Sequence, residues 1–189
     1  MAPRKKNAGY DDVLALPEHL VGEIIDGELI VSPRPATAHT LAASGLGSEL
    51  FGSFNRPPGG RGGGWWILDE PEIHLGRDVV VPDLAGWRRA RLATLPDAAF
   101  FTMAPDWICE VVSPKTERVD RGRKLRIYAR ARVGHAWLLN PTTRTLEVYR
   151  LEAKKWVLAS VHEGDAPIRA EPFDAIALDP SRWWLGPEK

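Results

Sequence analysis

The stretch Trp107-Ile108-Cys109-Glu110-Val111-Val112-Ser113-Pro114 decides how this chain reads. Apolar and β-branched residues run from Trp107 to Val112 and a Ser-Pro pair closes them, the pattern of a short buried strand. One charge sits inside the run, Glu110. A carboxylate in such a place is rarely buried unless it is paired or binds a metal. Side chains alternate along a strand, so Trp107, Cys109 and Val111 share one face and Ile108, Glu110 and Val112 the other. Upstream, Val79-Val80-Val81-Pro82-Asp83 repeats the anomaly, with Asp83 closing an apolar run. Downstream, the pattern predicts a basic helix from about Glu117 to Ala131, on which Asp120, Lys124 and Tyr128 line up at four-residue spacing. If that helix packs back on the sheet, Lys124 can reach the face of Glu110, its apolar stem under cover and its charge at the tip.

Two strand carboxylates and a lysine suit a divalent-metal phosphodiesterase. Magnesium prefers a few carboxylates plus waters. It polarises a phosphate and helps to generate a hydroxide nucleophile. A nearby lysine orients that water or offsets developing negative charge. An upstream acid often completes such a site, and Glu23, Glu28, Glu70 and Glu72 all remain open for that part. Plainer readings exist for each residue. Asp83 can start a turn, Glu110 can pair with a core arginine, and Asp120 with Lys124 can form a surface ion pair. Tyr128 reads as helix packing, and His39 and His135 as structural.

Working outward, Glu23 to Val31 reads as a β-hairpin with Asp26-Gly27 as its turn, ended by Ser32-Pro33-Arg34-Pro35. Tyr10 to Leu20 holds a short helix, capped by Asp11 or Asp12 and broken by Pro17. Thr37 caps a second helix running to about Phe54, with Leu41, Leu46, Leu50 and Phe54 as its stripe. Glycines 45, 47 and 52 weaken that helix. Residues 55–64 are a Pro/Gly loop inside one domain. They lack a G-K-[ST] ending and precede a strand, which argues against a phosphate-binding glycine loop. Further strands are expected near 65–75, 79–87, 135–139, 145–151 and 155–162. The order implies an α/β (α+β) domain around one mixed sheet flanked by helices. Residues 1–9 read as a disordered basic tail and 10–189 as a single domain. A Pro-punctuated tail exposes Trp183-Trp184.

The chain of 189 residues is 44% hydrophobic and 26% charged, ordinary values for a globular domain with a real core. Its single cysteine, Cys109, excludes a disulfide framework or thiolate zinc cluster within one chain. The basic start runs into Asp11-Asp12 rather than an apolar segment, so it is no signal peptide. No 18-residue apolar stretch exists, and a cytoplasmic location is expected. Net charge is zero, which argues against attachment to nucleic acid by bulk charge alone. Local basic surface is available: eight Lys/Arg stand against two acids from Lys115 to Arg132, and Arg88, Arg89 and Arg91 form a second cluster.

Several motifs together carry a resemblance. They are Pro82-Asp83, Glu110-Val111-Val112-Ser113-Pro114, Asp120-x-x-x-Lys124-x-x-x-Tyr128, and Gly134 followed by Trp137-Leu138-Leu139-Asn140-Pro141. Glu23-Ile24-Ile25-Asp26-Gly27-Glu28-Leu29, Ser32-Pro33 and His39 add to them. In order and spacing the set resembles the Uma-type family of putative restriction endonucleases, within the PD-(D/E)XK nuclease superfamily, over roughly residues 20–150. The resemblance implies a restriction-endonuclease-like mixed sheet flanked by helices and a magnesium-dependent nuclease site, with Mn2+ as a possible substitute. It implies Asp83 and Glu110 as metal ligands and DNA as substrate. The superfamily's E-x-K lysine is expected at position 112, where this chain has Val112; Lys124 matches the position to which related families move it. Homodimerisation is expected, since cutting two antiparallel strands suits a two-fold axis, and Trp183-Trp184 could supply the contact. The rival reading is a catalytically inactive nucleic-acid-binding or accessory protein with the same fold.

Overall fold

The computed structural model describes residues 5–32, 35–59 and 62–186. Residues 1–4 of the expected tail, Pro33 and Arg34 after the hairpin, residues 60 and 61 of the Pro/Gly loop, and 187–189 lie outside them. The hairpin forms as expected. Strands β2 (Val21–Ile25) and β3 (Glu28–Ser32) pair with Ile25 opposite Glu28. The turn residues Asp26 and Gly27 both take positive φ, 52° and 75°, the conformation a tight two-residue hairpin requires. A two-residue strand β1 (Lys5–Lys6) adds to β3, so the expected tail is in part ordered on the sheet edge.

Helix α1 spans only Tyr10–Leu14, and Asp12 caps it from within, accepting the Gly9 N–H at 3.0 Å. Helix α2 spans Thr37–Phe54, with Ala36 rather than Thr37 at its N-cap. Two of its three glycines are sites of close approach, while Gly52 faces open space. A Cβ on Gly47 would stand 2.9 Å from Asp69 Oδ1 and 3.1 Å from Leu84, and one on Gly45 would stand 2.9 Å from the Arg182 carbonyl. Each glycine costs a helix about 1 kcal/mol, whereas a buried Leu or Phe side chain contributes about 1.5–3 kcal/mol. Leu46, Leu50 and Phe54, all buried, therefore decide the outcome.

The runs expected as single strands at 65–75 and 79–87 each divide, and their halves go to two sheets. Strands β4 (Trp65–Asp69) and β7 (Leu84–Arg88) join the larger sheet. Strands β5 (Ile73–Leu75) and β6 (Asp78–Val80) join the smaller. Glu70, at φ 44°, and Pro71 break the first run. The second breaks at Val81–Asp83, which crosses between the sheets. With β8 (Trp107–Val111), β9 (His135–Asn140), β10 (Thr145–Glu152) and β11 (Lys155–Glu163), the larger sheet has the order β11-β10-β9-β8-β7-β4, and the smaller β1-β3-β2-β6-β5. Only β8 and β9 pair in parallel within the larger sheet. The helical crossover between them comprises α3 (Glu117–Val119), a π-helical turn (Asp120–Lys124) and α4 (Leu125–Arg130).

Both faces of the larger sheet are covered, as the alternation in 107–112 implied. Leu84, Trp107, Cys109 and Val111 pack under α2. Ile108, Val112 and Trp87 pack under Leu125, Ile127 and Tyr128 of α4, together with Ile25, Ile73 and Val80 of the smaller sheet. Trp183 and Trp184, expected to be exposed, are buried in the α2 core at 0% and 6% exposure. They follow a 3-10 turn (Pro180–Arg182), and the Trp183 indole N–H donates to Glu49 at 3.1 Å. No helix of the described residues is long and apolar enough to cross a membrane.

Candidate active site

The site lies where the crossing segment Val81–Asp83 leaves the smaller sheet and enters the larger. Glu23 on β2 reaches it from one side, its Oε1 accepting the Val81 N–H at 2.8 Å. Asp83 precedes β7, and its Oδ2 accepts the Val111 N–H at 2.7 Å, which holds it beside Glu110. His39, in the first turn of α2, places Nε2 3.2 Å from Asp83 Oδ1. Glu110 points from β8 toward the helical crossover, as the alternation requires.

Lys124 arrives from that crossover. Its Nζ stands 2.9 Å from Glu110, 2.9 Å from Glu23 Oε1 and 3.3 Å from the Val81 carbonyl, which accepts from it. Tyr128, one turn on, donates its hydroxyl to Glu110 Oε1 at 2.5 Å. The π-helical turn brings Asp120 and Lys124 both inward, and such turns recur at functional sites. Asp120 is buried and hydrogen-bonded to the Thr116 side chain. The structure removes one of the plainer readings, and leaves Glu110 a buried, satisfied carboxylate with partners other than those expected. Asp120 and Lys124 are not a surface pair, and the partners of Glu110 are a lysine and a tyrosine rather than an arginine.

Glu23 and Glu110 hold one ammonium directly, Asp120 acts on it through its charge, and Asp83 stands beside Glu110. Burial pushes the Glu110 carboxyl well above its usual range; Lys124 opposes this, while Asp120, Asp83 and Glu23 reinforce it. Burial likewise raises Asp120 to about 6, against the pull of Lys124. Burial works to lower Lys124, but Glu110 and Glu23 outweigh it and hold the ammonium protonated. For His39 too, burial opposes protonation and Asp83 overrides it.

Of the four upstream acids left open, Glu23 is in the site. Glu28 pairs with Arg123 at 2.7 Å and Glu72 with His74 at 2.7 Å. Glu70 stands nearby, its backbone N–H donating to the Asp83 carbonyl at 3.1 Å and its charge acting on His39. Glu23 carried the same signal as Glu110, a carboxylate between apolar residues of a buried strand. Tyr128 was aligned with Lys124 but read as packing; nothing in spacing separates a tyrosine that packs from one that also donates.

The donor set is one of hard oxygens. Among the described residues no three His, Cys, Asp or Glu side chains are placed to hold a metal ion. A magnesium ion does not need three, since it keeps several waters and takes one or two carboxylates. Asp83 and Glu110 are two adjacent carboxylates of that kind, each held in place by donors: Asp83 by the Val111 N–H and His39, Glu110 by Lys124 and Tyr128.

Comparison with known proteins bears on the family and the fold. The family model described as "Uma2: Putative restriction endonuclease" matches residues 10–181. Among solved structures the chain is similar to a putative nuclease belonging to DUF820 from Anabaena variabilis. The TM-score is 0.74 at 22% identity, over 93% of this chain and 97% of that one, a likeness of fold. No curated protein matches the chain. With nine-tenths of its length matched by one family model, and with that fold, this chain belongs to the Uma2 family, described as putative restriction endonucleases.

Proposed function

We propose that this protein is a magnesium-dependent endonuclease that hydrolyses DNA phosphodiester bonds, with Asp83 and Glu110 as metal ligands and Lys124 as the migrated catalytic lysine. One observation carries the reading: an ammonium from a helix, 14 residues beyond Glu110 in sequence, lies against Glu110 where the strand itself offers only Val112. Magnesium, or manganese in its place, supplies Lewis-acid polarisation of the phosphate and of a bound water. The chain's own residues do the rest. The Val111 N–H and His39 fix the Asp83 carboxylate, and Tyr128 and Lys124 fix that of Glu110. Lys124, kept charged by its carboxylate neighbours, faces negative charge that develops on phosphoryl oxygens. In the reaction the water oxygen bonds to phosphorus, a P–O ester bond breaks, and the leaving oxygen takes up a proton.

The test is cleavage of supercoiled and linear DNA by purified protein across metals and salt, with Asp83→Ala expected to be inert. A second reading, a nucleic-acid-binding protein that keeps the fold without cleavage, draws on the burial of Glu110 and Lys124, at 2% and 3% exposure. DNA left intact by a protein that still binds it would favour that reading. A two-fold dimer remains part of the proposal, with its contact elsewhere than the buried Trp183-Trp184.

A further inference from the structure

The basic segment 115–132 divides sharply once its partners are known. Arg121 is held by Glu117 and Glu147, Arg123 by Asp26, Glu28 and the Ile25 carbonyl, and Lys124 by Glu23 and Glu110. Arg126 lies 4.0 Å from Asp26, and Arg130 lies 2.5 Å from Asp78. Among the described residues Lys115, Arg118 and Arg132 have no acidic partner, while the other five basic residues of the run tie the crossover to the hairpin, β6, β8 and β10. Arg132 follows α4 at the end of the larger sheet where β8 begins. Lys115 and Arg118 lie at the other end, on the turn that directly follows Glu110 and β8.

That turn is built to hold them. The Ser113 N–H donates to Thr116 Oγ1 at 3.2 Å, the Thr116 N–H donates to Ser113 Oγ at 3.3 Å, and the Glu117 N–H donates to the Ser113 carbonyl at 2.8 Å. Thr116 also bonds to Asp120, which ties the turn to the site. Lys115 in the turn and Arg118 in the short helix that follows it stand three residues apart, and both are exposed. The one acid between them, Glu117, is answered by Arg121 at 2.8 Å. The local charge is therefore positive beside a site whose own carboxylates outnumber its ammonium. A polyanion meets repulsion from those carboxylates, and a chain of zero net charge offers no bulk attraction to offset it.

We propose that Lys115 and Arg118 form a clamp for the phosphate backbone of duplex DNA on the surface beside the site. The proposal rests on the reading of the protein as a DNA-cleaving enzyme, but it concerns binding and is measured separately. Two cations that each displace condensed counterions add about 1.8 to the slope of log affinity against log salt.

The experiment is fluorescence anisotropy of a labelled duplex, without divalent metal, over a salt series, for wild type, Lys115→Ala/Arg118→Ala and Arg132→Ala. Thermal denaturation checks that each folds. The double variant is expected to bind roughly tenfold or more weakly, at a slope lower by about 1.8, while Arg132→Ala follows wild type. A double variant that binds with wild-type affinity and slope overturns the clamp. So does an equal loss in Arg132→Ala, which would reveal diffuse charge, or a wild type that binds an acidic peptide but no DNA. A wild type that binds through these residues yet cuts nothing keeps the clamp and removes the nuclease; one that cuts while the double variant binds normally does the reverse.

Discussion

The Lys124 ammonium lies 2.9 Å from Glu110 and 2.9 Å from Glu23, wedged between two carboxylates that are themselves buried. Removing it leaves both without a cation, and breaking a buried pair from one side costs about 3–5 kcal/mol. Lys124→Ala is therefore expected to lose stability as well as cleavage, the latter by roughly 10²–10³. Adding Glu23→Gln removes one stranded charge and should recover part of the stability. Chemical denaturation and cleavage assays on both variants separate the two effects. Cleavage that returns along with stability would take Lys124 out of the chemistry.

Asp83 and Glu110 are expected to bind one divalent ion together. Calorimetry with magnesium or manganese should give binding heat for wild type and none for Asp83→Ala or Glu110→Ala. Equal heats in wild type and Glu110→Ala would sink the assignment.

Tyr128 holds Glu110 through a hydrogen bond of 2.5 Å. Tyr128→Phe keeps the packing and deletes the donor. Stability should fall by about 1–3 kcal/mol, and metal affinity by about 10–100-fold, as when partners that orient metal ligands are removed. A phenylalanine variant with unchanged metal affinity would return Tyr128 to packing alone.

Asp120 provides a pH signature. Its folded-state value of about 6 exceeds the ordinary aspartate value of 3.8, so the native state binds more protons than the unfolded chain between the two. Stability from this group is thus present at low pH and is lost as pH rises through about 6. Asp120→Asn should stabilise the protein at pH 8 by up to about 3 kcal/mol, taking about 1.4 kcal/mol per unit, with the gain gone by about pH 4. Melting curves across that range check the sign. Destabilisation at pH 8 would mean that the charged form is needed to hold the fold.

Much of this was readable beforehand because it depends on local pattern. The turn Asp26-Gly27, the faces of the 107–112 strand and the inward line Asp120-Lys124-Tyr128 all follow from short-range geometry. What escaped depends on long-range partners. Nothing local says that Glu70-Pro71 divides a strand between two sheets. Gly45 and Gly47 read as helix defects because the wall that needs their missing side chains comes from Asp69, Leu84 and Arg182, far along the chain. Trp183-Trp184 read as exposed because a Pro-punctuated tail looks peripheral until its docking surface is known. Glu23 could have been chosen over Glu28 by the signal that singled out Glu110; its bond to the Val81 N–H could not.

The crossing of Val81–Asp83 between the sheets has a consequence for synthesis. Glu23 belongs to the smaller sheet, Glu110 to the larger, and Lys124 to the crossover clasped to the hairpin by Arg123 and Glu28. A nascent chain that has not reached residue 124 holds Glu23 and Glu110 but not the ammonium that lies between them. Whatever chemistry the site performs is withheld from a ribosome-bound fragment and becomes available only when the two sheets have closed on the crossover.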